Sequence, residues 1–152
     1  MSIFEALIRN RILLCAVIGW CVAQVLKTLI HMFLTRKFVA ERLVGSGGMP
    51  SSHSATVTAL ATATFVEYGP QSFQFAISLI LSIIVMYDAM GVRRETGIQA
   101  KVLNQLLEVI TDMGSDMSPQ DKLKEFVGHT PLQVLMGAFL GVFIAIALCS
   151  VL

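Results

Sequence analysis

The sequence predicts an all-α integral membrane protein: a helical bundle with about four transmembrane helices, in a single membrane domain that covers residues 1–152. Hydrophobic residues make up 55% of the chain and charged residues only 14%, whereas soluble domains are about 25% charged. The mean hydropathy is +0.76. A soluble fold of this length buries roughly 70% of its surface, too little to hide so much apolar side chain. The formal net charge of +1 creates no broad field for a polyanion, so we expect no nucleic-acid partner.

Four apolar segments account for the predicted spanning helices. A spanning helix takes about 17–25 residues, and the first, third and fourth segments meet that length. The second is short and rich in Ala, Thr and Ser, which favours packing against other helices over contact with lipid. Whether the second segment spans the bilayer is left open by the sequence. The segments cover residues 12–34, 52–66, 73–90 and 131–152.

The basic residues predict the orientation of the chain. The turn at Gly69-Pro70 between the second and third segments has none, and Arg9 and Arg11 stand near the N-terminus on the same side. The positive-inside rule therefore places the first and third connections in the cytoplasm and both termini outside, as in a multi-pass protein of the cell membrane. The basic residues of those two connections are Arg36, Lys37, Arg42, Arg93, Arg94, Lys101, Lys122 and Lys124.

The third connection has a helical pattern of its own. Apolar residues recur at helical spacing from Ile98 to Met113, which predicts an amphipathic helix. Ser118-Pro119 has the cap and first-turn proline of a short further helix that ends near Gly128. One interpretation of the region is a solvated connector that lies on the membrane surface.

The three cysteines do not form a metal-binding pattern. Cys15, Cys21 and Cys149 lie inside long apolar runs, and no pair has the spacing of a metal site. We interpret them as small apolar residues of the helices.

Two histidines stand at the starts of two predicted helices on the same side of the membrane. Residues 47–54, Gly-Gly-Met-Pro-Ser-Ser-His-Ser, open the second helix, and residues 128–131, Gly-His-Thr-Pro, open the fourth. Backbone N–H groups at a helix start bind anions, and imidazole can act as nucleophile or general acid near neutral pH. We therefore expect His53 and His129 to converge on one phosphate. A capped helix with an incidental histidine is the alternative.

The residues around both histidines resemble a known family. Pro50-Ser51-Ser52-His53 resembles the Pro-Ser-Gly-His motif of the type 2 phosphatidic acid phosphatase superfamily, which includes lipid phosphatases and vanadium-dependent haloperoxidases. Residues 128–134 resemble its last motif, a histidine followed four residues later by an aspartate. Together with residues 47–55 and 87–94, roughly residues 24–141 resemble the divergent, bacterial and plant branch of that superfamily.

The resemblance implies a phosphoric monoester hydrolase that needs no metal and no cofactor. Its substrate would be a phosphorylated membrane lipid, phosphatidylglycerophosphate- or phosphatidate-like, hydrolysed through a phosphohistidine intermediate. His129 is implied as the nucleophile and His53 as the general acid. Ser51, Ser52 and the backbone near Gly48 are implied to bind phosphate oxygens. The partners are then that lipid and the bilayer, and a homo-oligomer is left open.

The chain departs from the superfamily at three places. Gln133 occupies the position of the aspartate that orients the nucleophile; it can accept the Nδ1 hydrogen bond but supplies no charge. The Ser-Arg pair before the last histidine is missing, since Leu123 stands six residues before His129. Lys27 is followed by Leu34 where the superfamily has Arg-Pro. A catalytically weak or inactive protein that binds anionic lipid is therefore the alternative function.

Other residues of the chain are candidates to replace the missing groups. Lys27, Arg93 and Arg94 could bind phosphate, because guanidinium groups grip phosphate bidentately and a lysine inside a spanning segment is costly unless it has a partner. Asp88 could orient His129 in place of Gln133. The alternatives are snorkelling for Lys27, surface anchoring for the arginines, and a salt bridge for Asp88.

Overall fold

Helices make up almost all of the computed structural model, which describes residues 2–38, 48–112, 123 and 128–151 and leaves the side chains of residues 93, 111 and 112 undescribed. The prediction of an all-α fold is confirmed, since these residues contain no strand. The predicted helix at Ser118-Pro119 lies outside the described residues. The helices are α1 (Ile3–Ile8), α2 (Arg11–Thr35), α3 (Ser52–Tyr68), α4 (Phe73–Met90), α5 (Val92–Asp112) and α6 (Pro131–Cys149).

Helix α3 is the centre of the bundle, with α2, α4 and α6 packed around it. Nine of its residues are buried, all of them Ser, Ala, Thr or Val. Small side chains let helix backbones approach closely, and hydroxyl groups bond across the interface. Ser82 of α4 donates to the carbonyl oxygen of Val57 at 2.7 Å, and the hydroxyls of Thr64 and Ser78 lie 2.6 Å apart. The Ala, Thr and Ser content of the second segment thus serves helix packing, as predicted.

Helices α3 and α6 run parallel and in close contact. A Cβ atom on Gly137 would overlap the carbonyl oxygen of Ser51, and one on Gly141 would overlap that of Ala55. Thr58 donates a 3.1 Å hydrogen bond to the carbonyl oxygen of Ala138 in the same interface. Gly141 is four residues after Gly137, and its contact Ala55 is four residues after Ser51. The two helices therefore run in the same direction and begin at the same end of the bundle.

Helices α2 and α4 run antiparallel to α3. A Cβ atom on Gly19 would lie 3.1 Å from Cβ of Ala59, while Cys15, earlier in α2, packs with both Ala59 and Ala63, later in α3. The turn from Gly69 to Ser72 reverses the chain into α4. The C-terminal ends of α2 and α4 therefore lie beside the N-terminal ends of α3 and α6.

Three stretches of the described residues are long and apolar enough to cross a membrane: Arg11–Thr35, Phe73–Ile110 and Pro131–Cys149. The second of these covers α4 and most of α5. Helix α3 has 17 residues and a length of about 26 Å, close to the roughly 30 Å of a hydrocarbon core. It runs through the bundle from one end to the other. Because neighbouring helices shield most of its surface, it needs fewer apolar side chains than they do.

Two helices differ from the sequence-based expectation. Helix α1 was not predicted; Ser2 and Glu5 form a capping box at its start. Helix α5 begins at Val92, directly after Gly91 and earlier than the predicted start near Ile98. Seven of its large apolar side chains are exposed, in keeping with the amphipathic helix that the periodicity predicts: Val92, Ile98, Val102, Leu103, Leu106, Val109 and Ile110.

A candidate active site where four helix ends meet

Backbone hydrogen bonds join three helix ends at the site. The N–H of Ser51, the N-cap of α3, donates to the carbonyl oxygen of Gln133 at 3.0 Å. The N–H of His129 donates to the carbonyl oxygen of Ala89 in α4, also at 3.0 Å. These two bonds fix the segment before α3 and the segment before α6 against each other and against the end of α4.

The two histidines lie side by side as a result. The ring centroids of His53 and His129 are 6.1 Å apart, and the ring planes are inclined at 61°. His129 is 3% exposed, and His53 is partly buried. In a phosphoryl transfer, a nucleophile lies about 3–3.5 Å from the reacting atom, and a general acid lies about 2.6–3.2 Å from the leaving oxygen. At 6.1 Å the two rings are edge-to-face neighbours, so both imidazoles border the same small region at the helix starts.

The side chain of Gln133 lies against the ring of His129. Its Oε1 atom lies 3.3 Å from Nδ1 of His129 and accepts a 3.0 Å hydrogen bond from the backbone N–H of Thr130. Because a backbone N–H can only donate, the amide atom that faces both groups must be the oxygen. Nδ1 of His129 is therefore the donor, and in the neutral ring Nε2 carries the lone pair of a nucleophile.

The two helix starts differ in the donors that they offer to an anion. At α6, Thr130 and Gln133 form a capping box and Pro131 has no N–H, so most of the first-turn donors are used or missing. At α3, the Ser51 hydroxyl accepts from the N–H of Ser54 at 3.3 Å and from its hydroxyl at 3.0 Å. In any α-helix the N–H groups of the first turn have no carbonyl oxygen four residues earlier within the helix, and no proline stands in the first turn of α3. The start of α3 is thus the better anion-binding helix end.

The polar groups around the start of α3 are held at defined positions. Ser51 is 0% and Ser52 is 2% exposed. Gly48 has a φ of 86°, a conformation that glycine adopts without strain. The hydroxyl of Ser52 makes no hydrogen bond within the described part of the chain, which leaves it available to a bound group. Ser51 keeps its hydroxyl hydrogen as a donor, although its oxygen caps the helix.

Helix α2 brings a buried polar face to this end of the bundle. Lys27 is 2% and Gln24 is 4% exposed, so the Lys27 side chain lies inside the bundle and does not snorkel to the surface. Gly19 packs against Ala55 and Ala59. Because α2 and α3 are antiparallel, Gln24, about 7.5 Å further along α2, is level with the first residues of α3, and Lys27 lies one turn beyond.

Gln24 has an unsatisfied acceptor. Its Oε1 atom is buried and accepts no hydrogen bond in the described structure. A buried polar atom of this kind calls for a partner, because its desolvation is otherwise uncompensated. The sequence motifs do not identify Gln24 as a site residue. The sequence signal for it is a polar residue inside a predicted spanning segment, three positions before Lys27.

The remaining predicted site residues lie on and after α4. Asp88 is partly buried and precedes Ala89, the residue whose carbonyl oxygen binds His129. Arg94 is exposed, and no hydrogen bond joins it to either histidine among the described residues. Arg93 belongs to α5, and its side chain lies outside the description. No group of three or more His, Cys, Asp or Glu residues in the described parts of the chain could hold a metal ion.

Comparison with known proteins finds a family and a relative. Residues 8–144 match the sequence profile described as the divergent PAP2 family. The chain is 38% identical over 151 residues to the uncharacterized membrane protein YuiD of Bacillus subtilis (strain 168), with 93% of this chain and 96% of that protein covered. No solved structure matches the chain.

Proposed function

The chain belongs to the divergent PAP2 family, and we propose that it is a metal-independent membrane phosphatase that hydrolyses a lipid phosphomonoester through His129. The observation that carries the proposal is the 6.1 Å pairing of His53 with His129. Family membership supports a phosphatase-related membrane protein. The roles of His129 and His53 come from the resemblance of their motifs to the superfamily, and the proximity of the two rings supports them.

In the first step, Nε2 of His129 attacks the phosphorus atom and the bond from phosphorus to the lipid oxygen breaks. His53 gives its proton to that oxygen, so the lipid leaves as a neutral alcohol. The proton on Nδ1 of His129 stays on that nitrogen and is donated in a hydrogen bond to Oε1 of Gln133 (3.3 Å), which stabilises the ring as it becomes positive. The product of this step is phospho-His129.

In the second step, a water molecule attacks the phosphorus of phospho-His129. His53, now neutral, takes a proton from that water, and the bond from nitrogen to phosphorus breaks. Inorganic phosphate leaves, and both histidines return to their starting protonation states. The hydroxyl of Ser52, the first-turn N–H groups of α3 and the ammonium group of Lys27 would hold the phosphate oxygens in both steps.

A lipid substrate suits the position of the site. The site lies at one end of the bundle, and the outer surfaces of α4 and α6 are apolar, with exposed side chains such as Ile84, Leu132 and Leu135. An acyl chain can remain beside these helices while its phosphate enters the site. Phosphatidylglycerophosphate and phosphatidate are the leading substrates, followed by isoprenoid phosphates. A headgroup hydroxyl, as in the first of these, would satisfy the buried oxygen of Gln24.

The test is an assay of phosphate release by the purified protein in lipid nanodiscs. Each of the three lipid classes is supplied with and without EDTA, and a rapid acid-free quench traps phosphohistidine for peptide mapping. We expect phosphate release that resists EDTA, a label on His129, and loss of both in His129→Ala. Release that persists in His129→Ala would contradict the mechanism.

The second candidate function is binding of anionic lipid without turnover. Gln133 favours it, because a carboxamide provides no charge to offset the growing positive charge on His129. Nanodisc binding measurements with the same lipids distinguish the two functions. Saturable binding that depends on Lys27 and is accompanied by no phosphate release would establish the second function.

We further propose that the site faces the cytoplasm in the cell membrane. The basic residues Arg36 and Lys37 follow α2 at the end where the site lies, while Arg9 and Arg11 lie at the other end. This distribution follows the positive-inside rule. Labelling of a single cysteine placed at residue 37 in intact cells tests it, since a membrane-impermeant maleimide should not reach that position.

A further inference from the structure

Two thiols from opposite ends of the sequence are in contact. Sγ of Cys15 in α2 lies 4.0 Å from Sγ of Cys149, the last residue of α6. Cys15 is 0% exposed and packs in a cluster with Ala59, Ala63 and Ala145, against which Cys149 lies. The two cysteines are 134 positions apart in the chain, so only the fold brings them together.

The thiol pair lies at the end of the bundle away from the histidines. Cys15 is five residues into α2, and Cys149 closes α6, so the pair lies close to the boundary of the apolar layer. Cys149 is partly exposed and Cys15 is buried. A reagent from the aqueous side therefore reaches Cys149 more readily than the buried Cys15.

We propose that Cys15 and Cys149 are a disulfide-forming site that joins the first and last spanning helices. The thiolate of Cys149 attacks one sulfur of an oxidising disulfide, forms a mixed disulfide and releases one thiolate of the reagent. Cys15 then attacks the sulfur of Cys149 and releases the second thiolate. In total, the two protein thiols give up two protons and two electrons, and the reagent leaves as a dithiol or as two thiols.

The geometry favours this step because the two sulfur atoms already lie 4.0 Å apart, about 2 Å more than the length of an S–S bond. The predicted orientation places this end outside the cytoplasm, where disulfides persist. A bond there would close a loop of almost the whole chain and restrict the unfolded ensemble strongly. It would also hold α2 against α6 without touching the candidate active site.

Cys21 provides an internal control. It is exposed and lies six residues after Cys15 in the same helix, about 9 Å further along the axis. It therefore points to another face and cannot pair with Cys149 in the folded protein. Alanine is a suitable replacement at Cys15, since the cluster around that residue consists of alanines.

The experiment uses the full chain in nanodiscs, in a Cys21→Ala variant, treated with oxidised glutathione. The readouts are intact mass and maleimide labelling after denaturation. We expect the mass to fall by two hydrogen atoms, no maleimide label, and a higher unfolding temperature that dithiothreitol reverses. With Cys15→Ala added, Cys149 should carry glutathione and the unfolding temperature should not rise.

Two results would overturn the proposal. One is that Cys15 and Cys149 of the Cys21→Ala chain stay labelled, or each carry glutathione, under conditions that fully modify Cys149 in the chain with both Cys15→Ala and Cys21→Ala. The other is a Cys149→Ala chain in which Cys15 and Cys21 form an intramolecular disulfide as readily as the proposed pair.

Discussion

Gln133 is bonded to Ser51 through its backbone and lies against His129 through its side chain. Its carbonyl oxygen accepts the 3.0 Å hydrogen bond from the N–H of Ser51, and its Oε1 atom lies 3.3 Å from Nδ1 of His129. Ser51 stands two residues before His53. One residue in the first turn of α6 therefore positions the segments that carry both histidines, and it does so at the position where the superfamily has an aspartate.

Substitution of Gln133 tests its side-chain contact with His129 while its backbone contact with Ser51 is kept. Gln133→Leu keeps the backbone bond to Ser51 but removes the acceptor for His129, so we expect kcat for phosphate release to fall on the order of 10³- to 10⁴-fold, as when a triad aspartate is lost. Gln133→Glu keeps an acceptor of the same length and should retain kcat within about tenfold. Circular dichroism checks that both variants remain helical. A Leu variant with unaltered kcat would show that the ring needs no acceptor.

The role of His53 as an acid depends on the leaving group. For a lipid phosphate, whose alkoxide needs a proton, His53→Ala should lower kcat by about 10²- to 10⁴-fold. For p-nitrophenyl phosphate, which leaves as a stabilised phenolate, the loss should be much smaller. His129→Ala is the matched control and should lose both activities. Equal losses on the two substrates in His53→Ala would assign His53 a different role.

The packing of α6 on α3 is sensitive to a single methyl group. A Cβ atom in Gly137→Ala would overlap the carbonyl oxygen of Ser51, so we expect a loss of about 1–3 kcal/mol in stability together with lower activity, because the helix starts separate. Ala147→Val enlarges an exposed position of the same helix and should be nearly neutral. Thermal unfolding in nanodiscs compares the two. Equal stability of both variants would contradict the close contact.

The unsatisfied oxygen of Gln24 predicts opposite effects on stability and activity. Gln24→Leu removes a buried acceptor that costs about 1–3 kcal/mol, so the unfolding temperature should rise. Loss of one hydrogen bond to substrate should lower kcat/KM up to about tenfold. Gln24→Asn, which keeps the amide on a shorter side chain, should not gain stability. A Leu variant that is both less stable and fully active would contradict the assignment.

The sequence was informative wherever the signal is local. The hydropathy of each segment predicted α2, α4 and α6 to within a few residues, and α4 has the predicted bounds Phe73–Met90. The motifs around His53 and His129 predicted two helix starts at the same end of the bundle. Helix α5 began earlier than expected because a new helix starts directly after Gly91, and nothing in the apolar spacing marks that start.

The membrane class, the all-α fold and the family follow from the sequence alone, because apolar content and short motifs are properties of neighbouring residues. The burial of Lys27 and Gln24 and the contact between Cys15 and Cys149 do not. They depend on which helix faces pack together. That choice is made by small residues such as Gly137 and Ala59, whose close contacts join distant parts of the chain and leave no local periodic pattern. The tertiary structure alone decides which polar groups share one buried site.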